Sequence, residues 1–234
     1  MNMALVTLAA FSAAAGVLIL LVFKATANQR ALRSARRKLR VNLLAIRLFA
    51  DDPLLILRSQ GRLLAGTGRY MALLLPAFLV IAIPLFFAWD QLDAVWGRVP
   101  LAPGEAVVLT ARLSDPAARL RLVAPDWLPV ESPPVHVEAE HEVSWRLRVS
   151  RAGSGTVCVT AGAERTCKWI EARPGLHYLA DREKAAAGPI LWLEMRYPRN
   201  DLALLGISAS WPVWFFLISA ATALAFRKRL RVTL

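Results

Sequence analysis

Three stretches of the chain are almost unbroken in apolar residues: positions 5–23, 71–89 and 207–226. Each is about 20 residues long, enough for a helix to cross a hydrocarbon layer about 30 Å thick. Between the first two, the pattern has a period near 3.6. Leu32, Leu39, Leu43 and Ile46 share one face, while Arg30, Arg33, Arg37 and Arg40 share the other, which predicts an amphipathic helix. Between the second and third stretches the period falls to two. Val143, Trp145, Leu147 and Val149 alternate with Ser144, Arg146, Arg148 and Ser150, the pattern of a half-buried strand around a core tryptophan. The predicted fold is a membrane α-helical one, three transmembrane helices with a helical hairpin, carrying an all-β, Ig-like sandwich domain.

No Gly or Pro interrupts residues 23–50, so the first span is expected to continue as one long helix. Asp51-Asp52-Pro53 then gives a break and a new start. Asp52 can cap, Pro53 suits the first helical position, and both acids favour the positive end of a helix dipole. The second arm, residues 53–65, carries Leu54, Leu55, Leu57, Leu63 and Leu64, with Arg58 and Arg62 four apart. Gly66-Thr67-Gly68 reads as a flexible joint before Arg69 and Tyr70 open the second span. Pro76 and Pro84 within that span are kink positions, because each removes a backbone donor.

In the β-patterned segment, residues 106–110 and 120–123 read as strands, and Pro100, Pro103, Pro116, Pro125, Pro129, Pro133 and Pro134 punctuate it. Gly153-Ser154-Gly155 reads as a turn. Residues 157–167 predict a hairpin turning at Gly162-Ala163, with Gly first in a two-residue loop. Counting outward from that loop sets Cys158 opposite Cys167, at a non-hydrogen-bonded pair where side chains approach closest. An oxidising compartment would join them as a disulfide.

Charge decides the orientation. The chain of 234 residues has 29 Lys and Arg against 17 Asp and Glu, a formal net charge of +12. The excess lies beside the apolar stretches, where it sets topology and attracts anionic lipid rather than a nucleic-acid sequence. Residues 24–69 and the tail Arg227-Lys228-Arg229-Leu230-Arg231 are both basic, so both are expected in the cytoplasm. The N-terminus and residues 91–205 are then expected outside it, and Trp89, Trp96, Trp211 and Trp214 fall where an outer aromatic belt belongs. Ala25-Thr26-Ala27 resembles a signal-cleavage site, but cleavage would export the basic cluster that follows, so a retained span is expected. The expected divisions are a first transmembrane helix over 1–27, a basic hairpin over 28–69 and a second helix over 70–90. A β-domain over 91–205, a third helix over 206–226 and a basic tail over 227–234 complete the chain. The expected place is a bacterial-type plasma membrane.

The chain has no Gly-rich phosphate loop, paired zinc motif or nucleophile elbow. An enzymatic role, a cofactor and a metal are therefore not expected. His136, Glu138, Glu140, His141 and Glu142 crowd together, and on one strand four of them would form a solvated acidic face. Ser208, Ser210, Ser219 and Thr222 are expected to satisfy helix contacts. No span carries an ionisable residue at its centre, which argues against an ion or proton transporter.

A first span, a basic hairpin split at Asp51-Asp52-Pro53, a proline-bearing second span and a third span running from Trp211 into the basic tail together resemble the core of the YidC/Oxa/Alb membrane-insertase superfamily. The layout is especially similar to its minimal three-span members, the archaeal YidC-like type and the insertase-subunit type of the ER membrane complex. The likeness covers about half the chain and is one of topology. It implies a groove open to the cytoplasm that passes nascent membrane proteins into the bilayer, with the hairpin as the contact for substrate or ribosome. The residues it points to are Lys24, Arg58, Arg62 and Arg69. Two features differ from the minimal members: a whole β-domain stands between the last two spans, and Lys24 and Arg69 lie at the cytoplasmic edge rather than in mid-membrane. The alternative expectation is a membrane-anchored scaffold or binding protein whose β-domain recognises a protein partner or envelope component.

Overall fold

The computed structural model describes residues 3–26, Ser34, Arg37, 53–115, 118–186, 188–204 and 206–230. Apart from Ser34 and Arg37, the first arm of the expected hairpin lies outside the described residues, as does its break at Asp51 and Asp52. The chain forms two compact units, one built on Asp90–Trp211 and the other on Thr7–Trp89 and Pro212–Leu234.

Among the described residues, three helices have both ends defined: α1 (Met3–Thr26), α2 (Pro53–Trp96) and α3 (Trp211–Phe226). Two stretches, Met3–Thr26 and Leu64–Trp96, are long and apolar enough to cross a membrane. Two expectations change here. Helix α2 runs for 44 residues without a joint at Gly66-Thr67-Gly68, and its helical span also includes Pro76 and Pro84. A mid-helix Gly costs only about 1 kcal/mol, which the leucine-rich flanks outweigh. Helix α3 begins at Trp211, not near residue 207, and has 16 residues. Ile207–Ser210 are instead drawn into a strand paired with Asp201–Leu204. Beyond Phe226, bonds from Arg227 N to Ala223 O and from Leu230 N to Phe226 O continue the helical pattern.

Within the helical unit, α1 buries Leu8, Ser12, Gly16 and Leu20. Their four-residue spacing places them on one stripe. Gly16 is required there: a Cβ would lie 2.5 Å from the Ser219 carbonyl oxygen of α3. The Phe11 and Phe215 rings, 6.1 Å apart, extend the same contact. Such close backbone approach over small residues is how helices associate without a hydrophobic driving force. Ser12 donates to the Leu8 carbonyl at 2.7 Å, Ser219 to Phe216 at 3.1 Å and Thr222 to Ile218 at 2.8 Å, so each hydroxyl is satisfied within its own helix. Helix α2 touches its neighbours differently. Ala77 is fully buried among Phe23, Tyr70, Leu73 and Leu74, while Met71, Leu75, Phe78, Phe86 and Phe87 are exposed.

Among its described residues the β-unit has ten strands: β1 (Ala106–Leu113), β2 (Leu120–Val123), β3 (Val135–Val137), β4 (Glu142–Arg148), β5 (Ser154–Ala161), β6 (Glu164–Glu171), β7 (Arg182–Lys184), β8 (Ile190–Met195), β9 (Asp201–Leu204) and β10 (Ile207–Ser210). They form a five-stranded sheet in the order β3-β4-β1-β8-β7, a three-stranded sheet β2-β5-β6 and the pair β9-β10. All these pairings are antiparallel. The two larger sheets share one core: Leu109, Trp145, Leu147 and Leu193 from the first join Val157, Val159 and Ile170 from the second. The alternation expected for residues 143–150 holds, with Val143, Trp145, Leu147 and Val149 all buried.

The β5–β6 hairpin follows the predicted register, Ala161 against Glu164 and Cys158 against Cys167, and the two cysteines are joined in a disulfide. Gly162 has φ +64, the positive value that the first loop position needs. Two local expectations fail. The acidic run is not one strand: the chain turns through a short 3-10 segment at Glu138–Glu140, and His141 adopts φ 54 so that β3 can pair back on β4. Ser154 and Gly155 belong to β5 rather than to a turn. Gly153 is required by packing, since a Cβ there would meet the Trp127 ring at 2.8 Å. Of the four tryptophans expected at an outer interface, Trp89 is exposed. Trp96, Trp211 and Trp214 are buried, and the Trp211 indole donates to Asp93 at 2.8 Å.

Candidate functional site

Two places concentrate chemistry. The first is the basic end of the helical unit. Phe23 of α1 and Tyr70 of α2 both pack against Ala77, and their chain neighbours Lys24 and Arg69 are exposed. Pro53 is the first residue of α2, as its fixed φ favours. Arg58 and Arg62 belong to the same helix, and their side chains lie outside the described residues. Pro76 and Pro84 are exposed, one turn or more beyond Arg69 on the apolar length of α2.

The second place is in the β-unit, and the hydrophobic pattern gave no signal for it. A cavity of about 350 Å³ is lined by Lys168, Trp169, Glu171, His177, Tyr178, Ala180 and Glu183. Lys168 is on β6 at an inward position that alternation alone would fill with an apolar residue, and Glu171 is buried at the end of the same strand. Lys168 is 1% exposed, and its ammonium donates to the Ala180 carbonyl. Burial holds its pKa below the ordinary lysine value. Glu171 is 3% exposed and accepts from Arg173 Nε at 2.8 Å and Nη2 at 3.0 Å. Those bonds hold its carboxyl below the usual glutamate range. His177 Nδ1 approaches the same carboxylate at 3.8 Å. Beside them, the Tyr197 hydroxyl accepts from the Glu171 amide at 3.3 Å, and burial pushes the phenol up to about 12.

A polar joint, also unannounced in the sequence, fixes the end of α2 within the β-unit. Arg98 bridges Asp93 at 3.2 Å and Asp181 at 3.0 Å, and donates to the Leu179 carbonyl at 2.5 Å. Leu179 N donates to Ala94 O at 2.7 Å. The partners lie far apart in sequence, so only the fold brings them together. The outer face of the larger sheet carries a further charged ladder, in which Glu194 accepts from Arg182 and Arg196, and Arg182 stacks on Trp192 at 4.3 Å. Among the described residues, no three His, Cys, Asp or Glu side chains are grouped to hold a metal ion. No protein-family model, curated protein or solved structure matches this chain.

Proposed function

We propose that this protein is a multi-pass plasma-membrane protein of the insertase type, which assists the insertion or folding of other membrane proteins. In this reading α1, α2 and α3 are three spans, residues 28–69 and the tail face the cytoplasm, and the β-unit faces outward. The observation that carries it is the contrast within the helical unit. Helix α1 is closely zipped to α3 at Gly16 and Ser219, whereas the apolar length of α2 is largely open, with exposed Lys24 and Arg69 beside the ends of the apolar stretches. An open apolar helix beside a cationic rim suits a client segment that arrives partly polar and leaves apolar. The cations attract acidic client residues and ribosomal phosphates. The prolines free backbone carbonyls, which membrane helices tolerate where neighbours or water satisfy them.

The test is photo-crosslinking from positions 24 and 69 to ribosome-bound nascent membrane proteins. Adducts from both positions are expected, reduced by Lys24→Glu and Arg69→Glu. Adduct yields no higher than those of a scrambled 28–69 segment would remove the proposal. Orientation has its own check: Cys158 and Cys167 should resist thiol reagents in intact cells until a reductant is added.

A second reading, a membrane-anchored binding protein, draws on the β-unit. The order β3-β4-β1 facing β2-β5-β6 follows strands D-E-B and C-F-G of an Ig sandwich, and β8 takes the place of strand A beside β1. Ig-like domains are recognition modules, and the cavity at Lys168 and Glu171 is of ligand-pocket size. Partner adducts from position 169 alone, with none from 24 or 69, would favour this reading.

A further inference from the structure

We infer that the outer edge of β6 is a pairing site for a second copy of this chain. The two main sheets offer four edges: β3, β7, β2 and β6. Natural sheets protect edges by keeping them short or breaking them with proline. Strands β3 and β7 have three residues each and β2 has four, and Pro133 and Pro134 precede β3. Strand β6 has eight. Its register with β5 begins at the two-residue loop, Ala161 against Glu164. Counting from there turns the backbone groups of residues 164, 166, 168 and 170 toward β5 and those of 165, 167, 169 and 171 outward. Glu171 is already taken, its amide by Tyr197 Oη and its carbonyl by Leu101 N. The outward amides and carbonyls of Arg165, Cys167 and Trp169 have no backbone partner among the described residues. That leaves three donors and three acceptors at strand spacing, stiffened from behind by the disulfide to β5.

The side chains select the occupant. Arg165, Cys167 and Trp169 share the solvent side, with Trp169 55% exposed. An antiparallel copy of the same strand uses all three open positions only when its two-fold axis passes at Cys167. In that register Arg165 faces Trp169 of the second copy, twice by symmetry. A guanidinium opposite an indole is a favourable cation–π pair, and a self-complementary patch is what an isologous dimer requires. Arg165 is near enough to swing, its Nη2 now 3.2 Å from Cys158 Sγ.

The experiment is native mass spectrometry with sedimentation of the full-length protein in detergent micelles. The wild-type chain is expected to be dimeric. Trp169→Arg, which sets Arg against Arg, should weaken the dimer about tenfold or more. The swap Arg165→Trp/Trp169→Arg, which restores the pair with its members exchanged, should recover it. Arg165→Glu is the second variant if circular dichroism shows the swap unfolded, and it too should weaken pairing. A wild-type monomer at every concentration, a Trp169→Arg dimer as tight as wild type, or a folded swap that stays monomeric would each overturn the inference.

Discussion

Residues 90–211 hold 14 of the chain's 29 Lys and Arg and 15 of its 17 Asp and Glu, so the β-unit is close to neutral; the rest of the chain holds 15 cations and 2 acids. Burial divides the opposite way. The β-unit concentrates a single large core, with Leu109, Leu147, Val157 and Ile170 fully enclosed, while α2 leaves Phe78, Phe86 and Phe87 exposed. On the proposed reading each unit matches a different solvent. A water-facing sandwich must hide its apolar side chains from water and can pair its charges on the surface, as Glu131 does with Arg146 and Arg148. In the proposed membrane reading a helix gains nothing by hiding Phe from lipid tails, so the helical contacts rest on shape at Gly16 and the charge is left for the membrane surface.

If that contrast is right, the two units should fail separately. The largest effect is expected from Leu147→Ala, which empties a site that is 0% exposed at the centre of the β core. Such a cavity costs about 3 kcal/mol. Tryptophan fluorescence from Trp127 and Trp145 should report earlier denaturation of the sandwich, with the helical circular-dichroism signal unchanged. Simultaneous loss of both signals would break the comparison.

Gly16→Leu is the counterpart in the helices. Its side chain has no room against the Ser219 carbonyl, and overpacking of this kind costs about 2 kcal/mol. Crosslinking between engineered cysteines on α1 and α3 should fall, while the thermal midpoint of the sandwich stays put. A shifted midpoint would mean that the units share stability. In the β-unit, the double variant Cys158→Ala/Cys167→Ala should cost about 2 kcal/mol through the freed loop, a loss that reductant should reproduce in the wild type and not in the variant.

Legibility in the sequence followed the same division. Local register could be read well: period-two alternation located β4, and the Gly162-Ala163 loop set the cysteine pairing because a two-residue hairpin fixes what lies opposite what. Apolar length located α1 and the apolar part of α2 for the same reason. Ends were less legible, because they depend on competition. Residues 207–210 are apolar enough for a helix, yet pairing with β9 claims them; Gly66 and Gly68 invite a joint, yet the helix carries through. The polar contacts at Arg98 and at Lys168 were illegible, since they join residues as distant as Asp93 and Asp181. The candidate cations Lys24 and Arg69 came from a likeness of topology, and what the fold adds is that both are exposed, next to Phe23 and Tyr70 of the Ala77 cluster.

The smallest expected effect tests where acid sensitivity resides. Glu171 is nearly buried and is held ionised by two bonds from Arg173, so its pKa is lower in the folded chain than in the unfolded one. The folded state therefore binds fewer protons, and the pair contributes stability above the ordinary glutamate value that is lost as pH falls below it. Glu194 has the same sign: burial alone would raise it, but bonds from Arg182 and Arg196 outweigh that and leave it lowered. Both groups belong to the β-unit, whereas the rest of the chain has only Asp51 and Asp52 to protonate. Acidification should accordingly lower the thermal midpoint of the sandwich before it disturbs the α1–α3 contact. Glu171→Gln should flatten the pH dependence of that midpoint and leave the helical signal unaltered. An unchanged slope in this variant would assign the acid response to other carboxylates, and a helical transition that moves first would place it outside the sandwich altogether.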